Sequence, residues 1–265
     1  MKYPLLHAFS ALLLFFLPQL IFAQAPSLGT TADFVLFSTD GAVTNSGISH
    51  VTGNVGTNNG SSTGFGNVNG VMHDADGASA QCAVDLLIAY NQLNSTVPGF
   101  FPAPQLGNGQ QLFAGVYAIS AAASLDLDLT LNAQGDPNAV FIFQIQGPLS
   151  TGANSKVKLI NGALACNVFW KVEGLVSMAS GTSMKGTIIA NNAAINMSTG
   201  DTLEGRALST AGAVTLDGVL AYTPIGCGSP MLNGPAAPGL GSAACYAIFS
   251  SNGAVSNVGI SIITG

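Results

Sequence analysis

A mainly β fold, a β-solenoid with a single α-helix alongside, is the class this sequence predicts, and three observations predict it. Residues 176–186 realign on residues 195–205 at an offset of 19, and Val214-Thr-Leu216 carries the register onward. Glycine is abundant, 33 of 265 residues, and in the realigned segments it falls where the chain must turn. One stretch alone, 79–95, spaces its apolar residues at helical rather than alternating intervals. A 19-residue unit with two alternating apolar strands and glycine corners is one coil of a solenoid, whose apolar edge is buried by the next coil. A β-sandwich without stacking gives no reason for such a register to persist.

The chain opens with the signature of an export signal. Lys2 supplies the positive segment, Leu12 to Phe22 a mostly apolar stretch, and Ala23 and Ala25 the small residues of a cleavage site. Residues 1–23 are read as a signal peptide cleaved after Ala23, with Ala25 the alternative. No other apolar run approaches the ~20 residues of a membrane helix. Export implies a secreted or surface-displayed protein with no membrane insertion after signal removal.

The solenoid domain is expected over residues 24–225. Within it, Cys82, Leu86, Ala89, Tyr90 and Leu93 form one apolar stripe of a helix at about 79–95, with Asp76 or Ser79 to cap it and Pro98-Gly99 beyond its end. Leu125–Leu131 alternates as a strand, with Asp126 and Asp128 on one side. Val140–Ile145 is apolar enough to be buried on both sides. In the 19-residue coils, alternation points Val176, Ile195, Val214 and Met178, Met197, Leu216 inward. Ser177, Asn196, Thr215 and Ala179, Ser198, Asp217 then point outward on one face. Lys185 stacks over Glu204 as an ion pair on a different, charged face, where Arg206 is also expected.

Residues 226–243 are rich in Pro and Gly and read as a linker. Residues 249–265 then repeat residues 37–53 with 11 of 17 positions identical. Residues 244–265 are therefore read as the start of a second, truncated copy, with other domains of a longer chain as possible partners. Cys82, Cys166, Cys227 and Cys245 match no zinc spacing. A Cys227–Cys245 bridge closing the linker and four buried free thiols both remain open.

Without Lys2, five basic residues face twelve acidic ones, a net charge of −7 that disfavours nucleic acid and anionic membranes. More informative is the scarcity of charge, 7% against about 25% in ordinary domains. Enzyme chemistry finds little support. Apart from His7, the histidines are His50 and His73, far apart and without an evident nucleophile. His73-Asp-Ala-Asp-Gly77 lacks the later ligands of a calcium loop and reads as a helix cap. No enzyme activity, cofactor or metal is expected.

Asn167-Val-Phe-Trp-Lys-Val172, Gly181-Thr-Ser-Met-Lys-Gly-Thr-Ile-Ile-Ala190, Asn196-Met-Ser-Thr-Gly200 and Leu203-Glu-Gly-Arg-Ala-Leu208 resemble the ice-binding-like family of microbial antifreeze proteins. Gly115-Val-Tyr117, Pro137–Ile145 and Ala213–Asp217 extend the resemblance over about residues 28–224, and it returns at 244–265. It implies a discontinuous right-handed solenoid of triangular section with one long helix, binding ice through a flat β face. The family's Thr-(Ala/Gly)-x-(Thr/Asn) motif is matched by Thr151-Gly-Ala-Asn154 and Thr199-Gly-Asp-Thr202, and more loosely by Ser180-Gly-Thr-Ser183. The expected ice-binding residues are Ser177, Ala179, Asn196, Ser198 and Thr215, with Thr151, Asn154, Thr199 and Thr202 at the margin. The alternative is a tandem surface adhesin or stalk module that binds glycan or cells. A face free of Lys, Arg, Glu and bulky loops separates the two.

Overall fold

The computed structural model describes residues 24–226, apart from residue 67, together with 248, 250 and 252–256. The expected signal peptide, Cys227, Cys245 and nearly all of the linker and second copy lie outside the described residues. Contacts divide the chain into two units, Met1–Leu232 and Asn233–Gly265. No strand or helix occurs among the few described residues of the second.

The first unit opens with a 3-10 turn at Gly29–Asp33 and seven strands: β1 (Phe34–Asp40), β2 (Val43–Ser46), β3 (His50–Thr52), β4 (Asn54–Asn59), β5 (Ser62–Thr63), β6 (Val68–Asn69) and β7 (Met72–Asp74). Helix α1 (Gly77–Ser95) follows. The strands then resume: β8 (Gln105–Gly107), β9 (Gln111–Phe113), β10 (Gly115–Ile119), β11 (Ala123–Asp126), β12 (Asp128–Asn132), β13 (Phe141–Ile145), β14 (Leu149–Thr151) and β15 (Lys156–Ile160). The last are β16 (Val168–Val172), β17 (Val176–Ser177), β18 (Ser183–Ala190), β19 (Ile195–Met197), β20 (Thr202–Ser209), β21 (Val214–Asp217) and β22 (Leu220–Tyr222).

These strands stack in parallel into three ladders. The helix-covered face runs β10-β13-β16-β18-β20-β1-β4-β7, and a second, bare face runs β8-β11-β14-β17-β19-β21-β2-β5. The third, charged face runs β9-β12-β15-β18-β20-β22-β3-β6. β18 and β20 are long enough to turn the corner between the charged and helix-covered faces. Spatial order therefore departs from chain order: the amino-terminal strands sit beyond the carboxy-terminal coils. Leu36 pairs with Ala207, Val43 with Val214 and His50 with Leu220 across that join. The result is a triangular solenoid broken once in sequence and closed in space.

Alternation fills the interior. Val176, Ile195, Val214 and Val43 are all fully buried on the bare face's inner side. On the helix-covered side Tyr117, Phe143 and Trp170 stack beneath Phe100, with ring centroids 4.9, 5.2 and 4.0 Å apart. The Trp170 indole donates to the Lys185 carbonyl oxygen at 2.9 Å, so the interior ring keeps its polar atom satisfied. The outward residues of the same strands, Ile142, Phe169, Ile189 and Leu208, form a second core with Cys82, Leu86, Ala89 and Leu93 of α1. β13 is thus buried on both sides, as its apolar run predicts.

α1 begins at Gly77, two residues before the expected start, because Asp76 and Ser79 act together. The Asp76 carboxylate accepts from the Ser79 amide, and the Ser79 hydroxyl accepts from the Asp76 amide, both at 2.8 Å. A polar latch holds the middle of the helix. The Tyr90 hydroxyl donates to Glu173 at 2.7 Å, and the Asn191 amide donates to both. Lys171, 1% exposed, pairs with Glu173 and lies 5.5 Å from the centre of the Tyr90 ring. A buried ammonium is tolerable only when so paired.

Three sequence expectations change. Arg206 is buried under α1's side of the solenoid and not on the charged face. It donates to the Ala32 carbonyl at 2.9 Å and the Thr187 hydroxyl at 3.2 Å, and burial lowers its pKa to about 10. Leu125–Leu131 is two strands, because Leu127 adopts φ 56° and turns a corner. Asp126 and Asp128 therefore lie on different faces. Cys82 is a free buried thiol, with its pKa pushed up by burial, whereas Cys166 is disulfide-bonded; with four cysteines in the chain, both the four-free-thiol reading and the Cys227–Cys245 bridge fail.

Some corner glycines have no room for a side chain: a Cβ on Gly205 would sit 1.8 Å from the Gly186 carbonyl oxygen. Gly205→Ala should cost about 2 kcal/mol or more in urea unfolding, and Gly99→Ala, where nothing lies within 4 Å, should be near neutral. Leu86→Ala, which empties a fully buried position between α1 and the sheet, should cost roughly 2–5 kcal/mol in the same assay.

Candidate functional site

Of the three faces, α1 covers one and ions mark another. On the charged face Lys158 pairs with Asp128 at 2.6 Å and Lys185 with Glu204 at 2.8 Å, the second pair being the one its 19-residue offset predicts. The bare face is different. Its eight strands contain no Lys, Arg, Glu or aromatic residue. At the ~4.8 Å strand spacing it extends roughly 34 Å along the solenoid.

One outward rank runs the full length of that face. Paired positions stack Gln105, Ser124, Ser150, Ser177, Asn196, Thr215, Thr44 and Thr63 in that order. All are short but the first. The Thr215 hydroxyl donates to the Asn196 side-chain oxygen at 2.8 Å, which fixes both rotamers. Beside this rank, main-chain hydrogen bonds from Leu149, Val176, Ile195 and Val214 bring Leu175, Ala194, Ala213 and Ala42 into consecutive coils. A rank of apolar residues, all alanine but Leu175, thus flanks the rank of hydroxyls and amides. Such side chains lose little rotamer entropy when a ligand orders them.

Ser177, Asn196 and Thr215 share this surface, and Ala179 and Ser198 form its margin near the corner with the charged face. Asn154, with φ 60°, and Thr199, whose hydroxyl donates to Asp217 at 2.9 Å, are exposed in the corner itself. Two expected site residues lie elsewhere. Thr151 is only 9% exposed: its hydroxyl accepts from the Ala179 amide at 2.9 Å and meets the Thr182 hydroxyl at 2.7 Å. Thr202 lies round the corner on the charged face, between Ser183 and Leu220. In the matched motifs, Thr151 builds the turn instead of facing solvent, and Thr202 opens a strand of the neighbouring face.

The turn is also where a carboxylate is buried. Asp201, 1% exposed, accepts from the Thr182 amide at 2.8 Å and the Ser198 amide at 2.7 Å, with the Gly181 amide beside them. Burial raises its pKa to about 6 despite those donors. Ser155 and Thr182 hold the equivalent inward positions in the preceding coils and likewise satisfy corner carbonyls.

Sequence reading missed Thr44 and Thr63, and it missed the alanine rank. Signals for both were present. Gly41-Ala-Val-Thr44 repeats as Gly212-Ala-Val-Thr215, and those identical tetrapeptides are hydrogen-bonded neighbours in the solenoid. Ala194 and Ala213 stand at the same 19-residue offset as the residues that were found.

The model of the ice-binding-like family matches residues 37–220. An ice-binding protein from Nostoc sp. strain HG1 is 40% identical over 200 residues, covering 74% of this chain and 73% of its own. One from Colwellia sp. is 34% identical over 214 residues, covering 72% and 81%. The crystal structure of an ice-binding protein from an Antarctic Flavobacteriaceae bacterium is 61% identical with a TM-score of 0.78, over 87% of this chain and 54% of its own. This chain thus spans about half of that solved protein. With more than half its length matched by the family model and its three-faced, helix-backed solenoid shared with solved relatives, the chain belongs to the ice-binding-like family.

Proposed function

We propose that the protein is exported and adsorbs to ice through the bare face, slowing crystal growth or recrystallisation without catalysis. The observation that carries this reading is the uncharged double rank of Ser177, Asn196, Thr215 and Thr44 beside Ala194, Ala213 and Ala42 at fixed strand spacing. Adsorption requires that surface water join a lattice, so the surface must hold water in a repeated, weakly bound arrangement. Charged side chains would keep hydration shells of their own, and long ones would pay ordering entropy. The other two faces are unsuited: one is covered by α1 and the other carries ion pairs. The glycan-adhesin alternative calls for a groove lined by aromatics and carboxylates, and the bare strands carry no aromatic residue.

A triple variant, Ser177→Tyr, Asn196→Tyr and Thr215→Tyr, is expected to fold, since all three side chains point outward, and to lose at least tenfold of the thermal hysteresis and recrystallisation inhibition of the parent. Thr130→Tyr on the charged face should keep both. Equal activity in parent and triple variant would move the site elsewhere, and no activity in the parent would end the ice reading.

A further inference from the structure

The outer margin of the bare face, Ala179 and Ser198, is held from below by a buried chain of polar groups. Ala179 is fixed by the Thr151 hydroxyl, Thr151 meets Thr182, and the Thr182 amide donates to Asp201. Ser198 is fixed twice, by its amide on Asp201 and by its hydroxyl on the Met178 carbonyl at 2.7 Å. Asp201 is thus the point where two adjacent coils of the margin are joined. We infer that Asp201 is a positioning residue of the ice-adsorbing face, and that its ionised carboxylate sets the height of Ala179 and Ser198. The inference rests on the adsorption reading above.

The chemistry is simple donor counting. An ionised carboxylate is acceptor-only and suits the converging amides of Gly181, Thr182 and Ser198. A protonated carboxyl places one O–H among N–H donors, and one amide then loses its partner. The margin shifts although the fold persists. Burial favours the protonated form in the folded protein, so the stability linked to Asp201 is fully present below the ordinary carboxylate pKa of 3.8 and is lost as pH rises through about 6. Activity and stability therefore move in opposite directions across that window, which separates positioning from a purely structural role.

The groups carried by the surrounding elements are Asp217 on β21, Lys185 on β18, Glu204 on β20 and Tyr222 on β22. Lys185 and Glu204 pair with each other, Asp217 accepts from Thr199, and no ion pair to Asp201 is found among the described residues. His50 on β3 and His73 on β7 are further ionisable groups.

The test measures thermal hysteresis and melting temperature of the full chain at pH 5.0 and 7.5 for the parent and for Asp201→Asn, which keeps every other ionisable group. The parent is expected to show at least twofold greater hysteresis at pH 7.5, although its melting temperature relative to the variant is lower there. The variant should show low hysteresis that is equal at both pH values. Amide shifts of Ser198 and Thr182 in the parent should titrate together with a midpoint near 6, a readout that stands even where the variant fails to fold. Flat parental hysteresis, a pH step retained in the variant, or amide shifts without that midpoint would overturn the positioning role while leaving ice adsorption intact. A parent inactive at both pH values would overturn adsorption and this inference together.

Discussion

Everything in this solenoid depends on one junction, the parallel hydrogen-bonded register that joins β20, β21 and β22 to β1, β2 and β3. The partners are distant in sequence: Val43 meets Val214, and His50 meets Leu220. Without that junction the chain would form two short stacks, each with an unpaired edge where the core should continue. With it, six bare-face strands from residues 105–217 and two from residues 43–63 become one ladder of eight. The identical Gly-Ala-Val-Thr segments show how the join is made without strain. Two coils that present the same residues at the same positions stack as if they were consecutive.

The junction in turn requires α1. Having laid down β7 at one end, the chain must return along the whole stack to begin β8 at the other, roughly 34 Å for seven strand intervals. A 19-residue helix supplies about 28 Å of that distance with every interior backbone group satisfied. Residues 96–104 supply the remainder, and Pro98, Pro102 and Pro104 remove backbone donors along the end they cross. The helix also resolves the apolarity of one face, because Ile142, Phe169, Ile189 and Leu208 would otherwise be an exposed stripe. The same element closes the topology and leaves uncovered a face whose strands carry no Lys, Arg or Glu.

Legibility in the sequence followed the local repeat. Where coils succeed each other at 19 residues, the inward and outward assignments of Val176, Ser177, Ile195, Asn196, Val214 and Thr215 could be read directly, and so could the Lys185–Glu204 pair. Helix α1 was equally plain, because a lone 3.6-residue period stands out in a period-two background. Corners were harder. Leu127 turns the chain with φ 56° although nothing in an alternating Leu-Asp run announces it, and the reading of Asp126 and Asp128 failed there. Thr151 and Thr202 failed for a related reason: a motif fixes residue types, but at a triangular corner one residue's shift changes the face. Arg206 was misplaced because β20 continues through its corner, so Glu204 and Arg206, both outward in a single strand, end up on different faces. The discontinuity itself left no periodic trace, since its two halves are far apart in the chain.

Polar groups at these corners show how a chain so poor in charge still fixes its geometry. Ser155, Thr182 and Asp201 occupy one stacked inward column, and each satisfies main-chain groups that the turn withdraws from the ladders. Serine and threonine do this as neutral groups that both donate and accept, so their coils are indifferent to pH. Aspartate does it with acceptors alone, which draws in more amides but makes the coil depend on a proton. The bare face confines surface charge to strand ends, at Asp126 and Asp217, while one coil keeps a carboxylate directly beneath its margin. There the carboxylate meets backbone dipoles and not bulk water, so it imposes no hydration shell on the surface that must order its own water.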